Sequence, residues 1–368
     1  MISAKLRVLP AVLLLLPLDA LVACVILAAD LATIPLRMRR RGPRVFPPAD
    51  LSSVTIQILN WDGKHLLEEC IPSVLEAVAR YIALAGGSCR VVVVDNGSTD
   101  GSVEFLQRRF PDVSVLKLDR NYGFSKGNNR GLLSADTDVV VLLNNDMRVH
   151  PDFLQPLLEP FSDPNVFAAA SQIRFADSSR RREETGKTRA RFDRGFLYLW
   201  HDEIAASEEN GPPLPVFWAG GGSCAVDRRK LMSFGGLDAL YHPFYVEDAD
   251  MSYQAWKRGW KCLLAARSSV VHRHRGTSRP RFGDGFVDNT IRRNQFLFIW
   301  KNVSDFSMIL RHLAALPRIH GSAAMQYGMR FELRAYIRAV ARLPYAVVRR
   351  AAGLREYVVG DSEMLKAD

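Results

Sequence analysis

Acidic, amide and imidazole side chains gather at a few points along this chain, mostly just after an apolar run. Val91-Val92-Val93-Val94 leads into Asp95-Asn96-Gly97-Ser98, and Val139-Val140-Val141-Leu142-Leu143 leads into Asn144-Asn145-Asp146. An ionised Asp95 at a strand tip suits the hydroxyls of a ribose or the edge of a pyrimidine; the plainer alternative is a turn built by Asp-Asn-Gly. Asp146 has the type and place to hold a divalent metal on a diphosphate, since such ions take one or two carboxylates plus phosphate oxygens. It also has the type of a capping residue ahead of Pro151. Glu247-Asp248-Ala249-Asp250 puts three carboxylates at the start of a helix expected from Asp250 to Arg258. They either meet the helix dipole or supply a general base for a hydroxyl. His272 and His274, two apart at a strand end, share one face if the strand continues, and imidazole ligates metals well. Between these clusters lies Asn121-Tyr122-Gly123-Phe124-Ser125-Lys126-Gly127-Asn128, where glycine lets backbone approach a polar or anionic group closely. The Gly-Lys-Ser/Thr ending of a P-loop is missing.

The elements needed to present these groups alternate. Strands are expected at Val54–Leu59, Val91–Val94, Val113–Leu118 and Val139–Leu143, with helices at Leu66–Leu84, Ser102–Arg109 and Phe124–Leu133. This βαβα order predicts an α/β fold with a mostly parallel sheet flanked by helices. Ligands of such sheets sit beyond the carboxyl ends of the strands, where Asn60 and the clusters after β-rich runs fall. Residues 178–215 are polar and read as a long loop or flap with a short aromatic element at Phe196–Trp200.

The chain has 368 residues, 48% apolar and 24% charged, and a net charge of +10. Its five cysteines are scattered with no Cys-x-x-Cys pair, which argues against a disulfide framework or structural zinc and fits a reducing compartment. No zinc-finger or basic-zipper pattern appears, and arginines flank apolar stretches at both ends. That distribution favours an anionic membrane surface over nucleic acid. Residues 1–36 are expected to form an N-terminal membrane segment. Val8–Ile34 is long enough to span a bilayer, but Asp19, Asp30 and Pro17 interrupt it, so a re-entrant or interfacial helix is the alternative to a spanning one. Arg37, Arg39, Arg40, Arg41 and Arg44 behind it place the remainder of the chain in the cytosol, while Lys5 and Arg7 in front weigh the other way. A basic, proline-bearing linker covers 37–51. From residue 294 to 368 the chain becomes helical, aromatic and arginine-rich, and its apolar faces with basic edges predict helices docked on a membrane.

Taken in order, Val54–Gly63, Asp95–Ser102, Asn121–Gly131, Leu142–Asp146, Gly235–Asp238, Glu247–Asp250 and His272–Ser278 resemble the family 2 inverting glycosyltransferases of the GT-A fold, close to bacterial rhamnosyltransferases. The resemblance spans roughly residues 52–300, with the glycosyltransferase domain expected at 52–293. It implies transfer of a sugar from a nucleotide-diphosphate sugar (UDP-, dTDP- or GDP-linked) to an acceptor hydroxyl, with a divalent metal, Mg²⁺ or Mn²⁺. It implies that Asn60, Asp95, Asn96, Ser98, Asn121, Gly123, Asn128 and Asn145 bind the donor. Asp146 matches the last acid of the metal motif, with Asn144 where a first acid often stands. His272 matches the late histidine ligand, and His274 is its near alternative. Asp248 matches the catalytic base, beside Glu247, and Trp218, Gly220, Gly221 and Asp250 are expected at the acceptor. The Gln-x-x-Arg-Trp motif of processive relatives is absent, so a single sugar per encounter is expected. The acceptor is expected to be lipid-linked or a glycan, in cell-surface polysaccharide or glycolipid synthesis at the inner membrane, with the catalytic domain cytoplasmic. A sugar-nucleotide pyrophosphorylase fits less well, because Asn60-Trp61-Asp62-Gly63-Lys64 is not its Gly-rich, basic first turn. A non-catalytic scaffold would be expected to lack Asp146 or Asp248.

Overall fold

A computed structural model of the chain describes residues 2–39, 42, 44–175, 184–272 and 278–365. Two helices open it, α1 (Ile2–Ala32) and α2 (Ile34–Met38). The α/β part comes next as β1 (Ser53–Asn60), α3 (Lys64–Ala85), β2 (Ser88–Asp95), α4 (Ser102–Arg109), β3 (Ser114–Lys117), α5 (Phe124–Ser134) and β4 (Val139–Asn144). The short β5 (Met147–Val149) and α6 (Leu154–Leu158) lead to β6 (Val166–Phe175), then the hairpin β7 (Thr188–Asp193) and β8 (Phe196–His201). Next come α7 (Ala206–Glu209), β9 (Leu214–Pro215), β10 (Ser223–Asp227), α8 (Arg228–Ser233), α9 (Glu247–Lys257) and β11 (Lys261–His272). The chain closes with α10 (Ser278–Phe282), α11 (Asp284–Asn302), α12 (Phe306–Tyr327), α13 (Met329–Val340), α14 (Leu343–Gly353) and α15 (Asp361–Met364).

One nine-stranded sheet runs in the order β3-β2-β1-β4-β10-β6-β11-β5, with β9 on β11. β1 pairs in parallel with both β2 and β4, so the order reverses at β1, and the crevice beyond its carboxyl end is the expected ligand position. The strands here are Val- and Ile-rich because helices cover both faces. Leu67, Cys70, Ile71, Val74 and Val78 recur at helical spacing along α3 and bury one stripe on the sheet. α3 stops at Gly86, whose φ of 68° places it in the left-handed C-cap position.

Two expectations need correction. The polar stretch after residue 183 is not a free flap. β7 and β8 pair around a two-residue turn, Arg194 and Gly195 at φ 49° and 81°, the left-handed geometry of tight hairpins. The hairpin is fixed to the helices: Phe196 packs 5.9 Å from Phe296, and the Gly195 carbonyl lies 2.7 Å from His312 Nδ1. The C-terminal helices also turn much of their apolar surface inward, while Leu310, Ile337, Tyr345 and Val348 stay exposed. Phe296, Leu297, Phe298, Ile299 and Trp300 are buried with Met308, Ile309, Tyr336 and Leu343 in one core cluster, so they do not touch a membrane. Leu15, Val22 and Ile26 of α1 belong to that same cluster. α11 runs unbroken across residue 294, so sheet and helical region share an element.

Candidate active site

The carboxyl ends of β1, β2 and β4 meet at a network of amides. Asn145 donates to Asn60 Oδ1 at 2.8 Å. Asn60 in turn donates to Asp95 Oδ1 and to Ser98 Oγ, both at 3.2 Å, and Asp95 Oδ2 accepts from the Ser98 amide at 3.0 Å. Asn60, Asp95, Asn96 and Asn145 are buried, so they form the floor that shapes the crevice. Asn96 fixes the next loop by donating to Asn121 Oδ1 at 3.0 Å and accepting from the Tyr122 amide at 2.9 Å. Gly123 sits where any Cβ would lie 2.6 Å from the His242 ring and 2.9 Å from the Pro243 carbonyl. Asn128 turns away from the crevice: its Oδ1 accepts from Gln57 Nε2 at 2.8 Å and its Nδ2 donates to the Phe124 carbonyl at 3.1 Å. Its place is beneath α5, because position 128 falls on the sheet-facing side of that helix.

The rim joins Trp61, Asp62 and Thr99 of the first two motifs to Arg281 and Phe282, which no motif in the sequence singles out. Asp62 accepts from the Thr99 amide at 2.6 Å and pairs with Arg281 at 2.8 Å. Arg281 lies over Trp61, 3.9 Å from the ring centroid, and Phe282 stacks on the same indole at 5.9 Å. α10 therefore covers the outer end of the crevice.

Asp146 and His272 come together through strand register. β11 runs antiparallel to β5 with His272 opposite Met147, one residue from Asp146. His272 Nε2 lies 3.3 Å from Asp146 Oδ2, while its Nδ1 lies 2.9 Å from Glu184. Burial opposes a charged imidazole, but the two carboxylates outweigh it and lift the pKa of His272 to about 9. Asp146 Oδ1 is buried without a hydrogen-bond partner among the described residues, and Asp146 lines a cavity of about 140 Å³ with Asn145, Arg148 and Val271. One carboxylate oxygen left over, an imidazole nitrogen beside it and space next to them fit a divalent cation, which would take the place of the proton. Glu184 stands as the outer partner that metal-ligating histidines usually have. Among the described residues no cluster of three or more donors forms, and His274 lies outside them. Two protein donors are enough for an ion that also takes phosphate oxygens.

Glu247 and Asp248 open α9. Asp248 is half-buried and accepts from its neighbour Ala249 N at 2.8 Å and from Gly221 N at 3.3 Å. Burial raises its pKa, against the pull of those two amides. Burial also lifts Glu247, to about 8, with the Asp248 charge adding to the shift. Gly220 and Gly221 lie directly against Asp248, as a Cβ on either would come within 4.0 Å of its side chain. Trp218 is buried behind this wall, its ring 5.1 Å from His201. Asp250 does not reach the acceptor side. Its oxygens take Tyr241 OH at 2.8 Å, Asn302 at 2.7 Å and Lys301 at 2.5 Å, which ties α9 to α11.

The turn before α9 is strained. Tyr245 and Val246 have φ of 71° and 81°, a region that a β-branched residue rarely adopts. Asn294 on α11 holds it, donating to the carbonyls of Tyr241, Phe244 and Tyr245 at 3.0, 3.0 and 2.8 Å. Arg293 donates to the His242 carbonyl at 2.7 Å. No local pattern around Arg293-Asn294 announces this, since their partners lie some 50 residues away. Glu184 had a weak signal, the second of two adjacent acids closing the charged run ahead of a β-rich segment.

Residues 53–229 match the model of glycosyl transferase family 2. The chain is 28% identical over 241 residues to an N-acetylglucosaminyl-diphospho-decaprenol L-rhamnosyltransferase of Mycobacterium tuberculosis, covering 60% of this chain and 75% of that one. Its fold is similar to the mannosyltransferase PcManGT of Pyrobaculum calidifontis, solved with GDP-Man and Mn²⁺, with TM-score 0.51, 17% identity and coverage of 90% and 98%. It is similar also to GalNAc-T7, solved with UDP, GalNAc and Mn²⁺, with TM-score 0.52, 17% identity and coverage of 68% of this chain. The chain spans about half (48%) of the length of that structure. The likeness to both is one of fold, the GT-A arrangement of a mixed α/β sheet. The chain carries a glycosyl transferase family 2 domain over residues 53–229.

Proposed function

We propose that this glycosyltransferase moves one sugar from a nucleotide-diphosphate sugar to an acceptor hydroxyl, inverting the anomeric carbon, with residues 52–293 as the catalytic unit and 294–368 as its helical support. The observation that carries this is the setting of Asp248. It stands half-buried against Gly220 and Gly221, beside the strand tips, with a pKa raised by burial. A carboxylate so placed takes a hydroxyl proton more readily than one in water. Attack from the side opposite the leaving diphosphate gives inversion in a single displacement. Glu247, neutral at pH 7 with a pKa of about 8, keeps a second negative charge away from that base. Asp62, Ser98, Thr99 and Asn121 line the crevice rim toward a UDP-, dTDP- or GDP-sugar, over the floor of Asn60, Asp95, Asn96 and Asn145.

Asp146 and His272 would hold Mg²⁺ or Mn²⁺ on the donor diphosphate, where such an ion supplies Lewis-acid stabilisation of the charge on the leaving group. The Mn²⁺ of the two solved structures supports this reading. The decaprenyl-diphosphate acceptor in the mycobacterial relative's name supports a lipid-linked or glycan acceptor in polysaccharide or glycolipid synthesis. The apolar α1 supports attachment to the inner membrane with the catalytic unit on the cytoplasmic side. The test is a donor screen with the full-length protein, Mn²⁺ and a membrane-lipid extract. Release of nucleoside diphosphate together with a lipid product heavier by one sugar is the expected result. Release with no glycosylated product from any donor would overturn the transferase reading.

A further inference from the structure

α1 is apolar enough and long enough to cross a membrane, over Val12–Ala32, yet it is not a solitary rod. It lies lengthwise and antiparallel on α12: a Cβ on Gly321 would meet Val12 at 3.6 Å, and Arg37 beyond its other end donates to the Ser304 carbonyl at 3.1 Å. The two acids that interrupt the apolar run both face this contact. Asp30 takes two hydrogen bonds of 2.7 Å from Arg350 and one of 2.7 Å from Arg37. Asp19 lies 3.1 Å from His320 Nε2, whose Nδ1 lies 2.7 Å from Glu332, itself held by Arg292 at 2.8 Å. These acids are therefore the ties of α1 to α12, α13 and α14.

Over Val12–Ala32 the only charged groups are Asp19 and Asp30, both buried, so among these described residues the opposite side is uncharged. Leu13, Leu14, Leu21 and Leu31 are 55%, 64%, 48% and 65% exposed, and the apolar stretch of 21 residues is about 30 Å long. A continuous apolar face of this size marks an interaction surface. A bilayer crossed by α1 would also have to take in α12 beside it, with Arg311 and Arg318 exposed, and charged groups are costly in hydrocarbon. Between Phe306 and Leu354 the chain has eight arginines and one glutamate, and that glutamate, Glu332, is buried. Arg350 is likewise buried, on Asp30, which leaves the helical region a net basic surface, with Arg311 and Arg318 exposed on the helix beside α1, complementary to anionic headgroups.

We propose that α1 lies in the plane of an anionic membrane, with its outward leucines among the acyl chains and both of its ends on the side of the catalytic unit. This deepens the membrane attachment given above and does not depend on the transfer chemistry. Two measurements on the full-length protein test it. The first uses Cys24→Ser protein carrying Ser3→Cys or Arg44→Cys, in right-side-out and inverted membrane vesicles, with a membrane-impermeant maleimide. Labelling of both sites from one and the same side is expected; labelling from opposite sides means a spanning helix and overturns the proposal. The second is sedimentation with vesicles of phosphatidylcholine alone or with phosphatidylglycerol. Preferential binding to the anionic vesicles is expected, weakened by about tenfold or more in Leu13→Ser/Leu14→Ser/Leu21→Ser protein of unchanged circular dichroism. Failure to bind either vesicle, with self-association lost in the triple variant, would assign the face to a second copy and overturn the proposal. Neither readout involves turnover, so failure here and failure of the transferase reading are separate results.

Discussion

The imidazole Nε2 of His272 lies 3.3 Å from Oδ2 of Asp146, a residue 126 positions earlier in the chain. Their meeting is a product of the β5–β11 register, and it brings together the strand-tip acid and the late histidine. Asp146→Ala is expected to weaken Mn²⁺-dependent binding of UDP or GDP by about 10–100-fold, while metal-free binding of the nucleotide hardly changes. Titration calorimetry with and without Mn²⁺ reads both. Full activity of the wild-type protein in excess chelator would remove the metal from this site.

Asp248→Asn keeps the shape of the side chain and its contact with Gly221 but removes the base. Turnover is expected to fall by about 10²–10⁴-fold, with the donor dissociation constant nearly unchanged. Single-turnover kinetics separate the two effects. Turnover close to wild type would show that another group takes the proton.

Glu247 has a folded-state pKa of about 8, raised by burial, above its unfolded value of about 4.3. Between these values the unfolded chain has lost its proton and the folded chain keeps it. This group's contribution to stability is therefore full at low pH and declines as pH rises through that window. Glu247→Gln removes the decline. The urea midpoint of the variant relative to wild type should rise steadily from about pH 5 to about pH 8. A difference independent of pH would mean that Glu247 is ionised in the fold.

Asn294 touches no expected substrate position, yet it holds the carbonyls on the strained turn that delivers Asp248. Asn294→Leu should lower kcat by about 10–100-fold through misplacement of the base, with a shifted acid limb in the pH–rate profile and little change in donor binding. If kcat and the pH profile both stay as in wild type, Asn294 serves packing alone.

The strand-tip clusters were legible in the sequence because each comes after an apolar run that had to be a buried strand. The expected Ser102–Arg109 helix matches α4, and Leu66–Leu84 falls inside α3. β5 was not legible: three residues are too few to display a period. β6 was hidden by Phe167-Ala168-Ala169-Ala170, which lacks the β-branched residues that mark a strand. The β7–β8 hairpin had a signal, alternation around Arg194-Gly195, masked by the surrounding charge. The motif around Asn128 points to the crevice, whereas its position on α5 turns it to Gln57. For the C-terminal helices the sequence did not separate the apolar positions covered by protein from those left exposed, for a general reason. An amphipathic period states that a face is buried, not whether protein or lipid buries it, and Trp300 and Tyr336 are covered by protein.

The tie between Asp30 and Arg350 joins residues 320 positions apart, and this gives biosynthesis an order. Translation delivers α1 before its distant partners: Arg37 follows Asp30 at once, but His320 for Asp19 and Arg350 for Asp30 emerge only after the whole catalytic sheet has left the ribosome. Until then the nascent helix presents an apolar stretch with carboxylates that hydrocarbon resists. With α1 in the membrane plane as proposed, the acids would act early as a deterrent to threading through the translocon, and late they fasten α1 to α12 and α14. A nascent chain stalled before Arg350 would keep α1 unlatched, open to any factor that recognises an apolar helix.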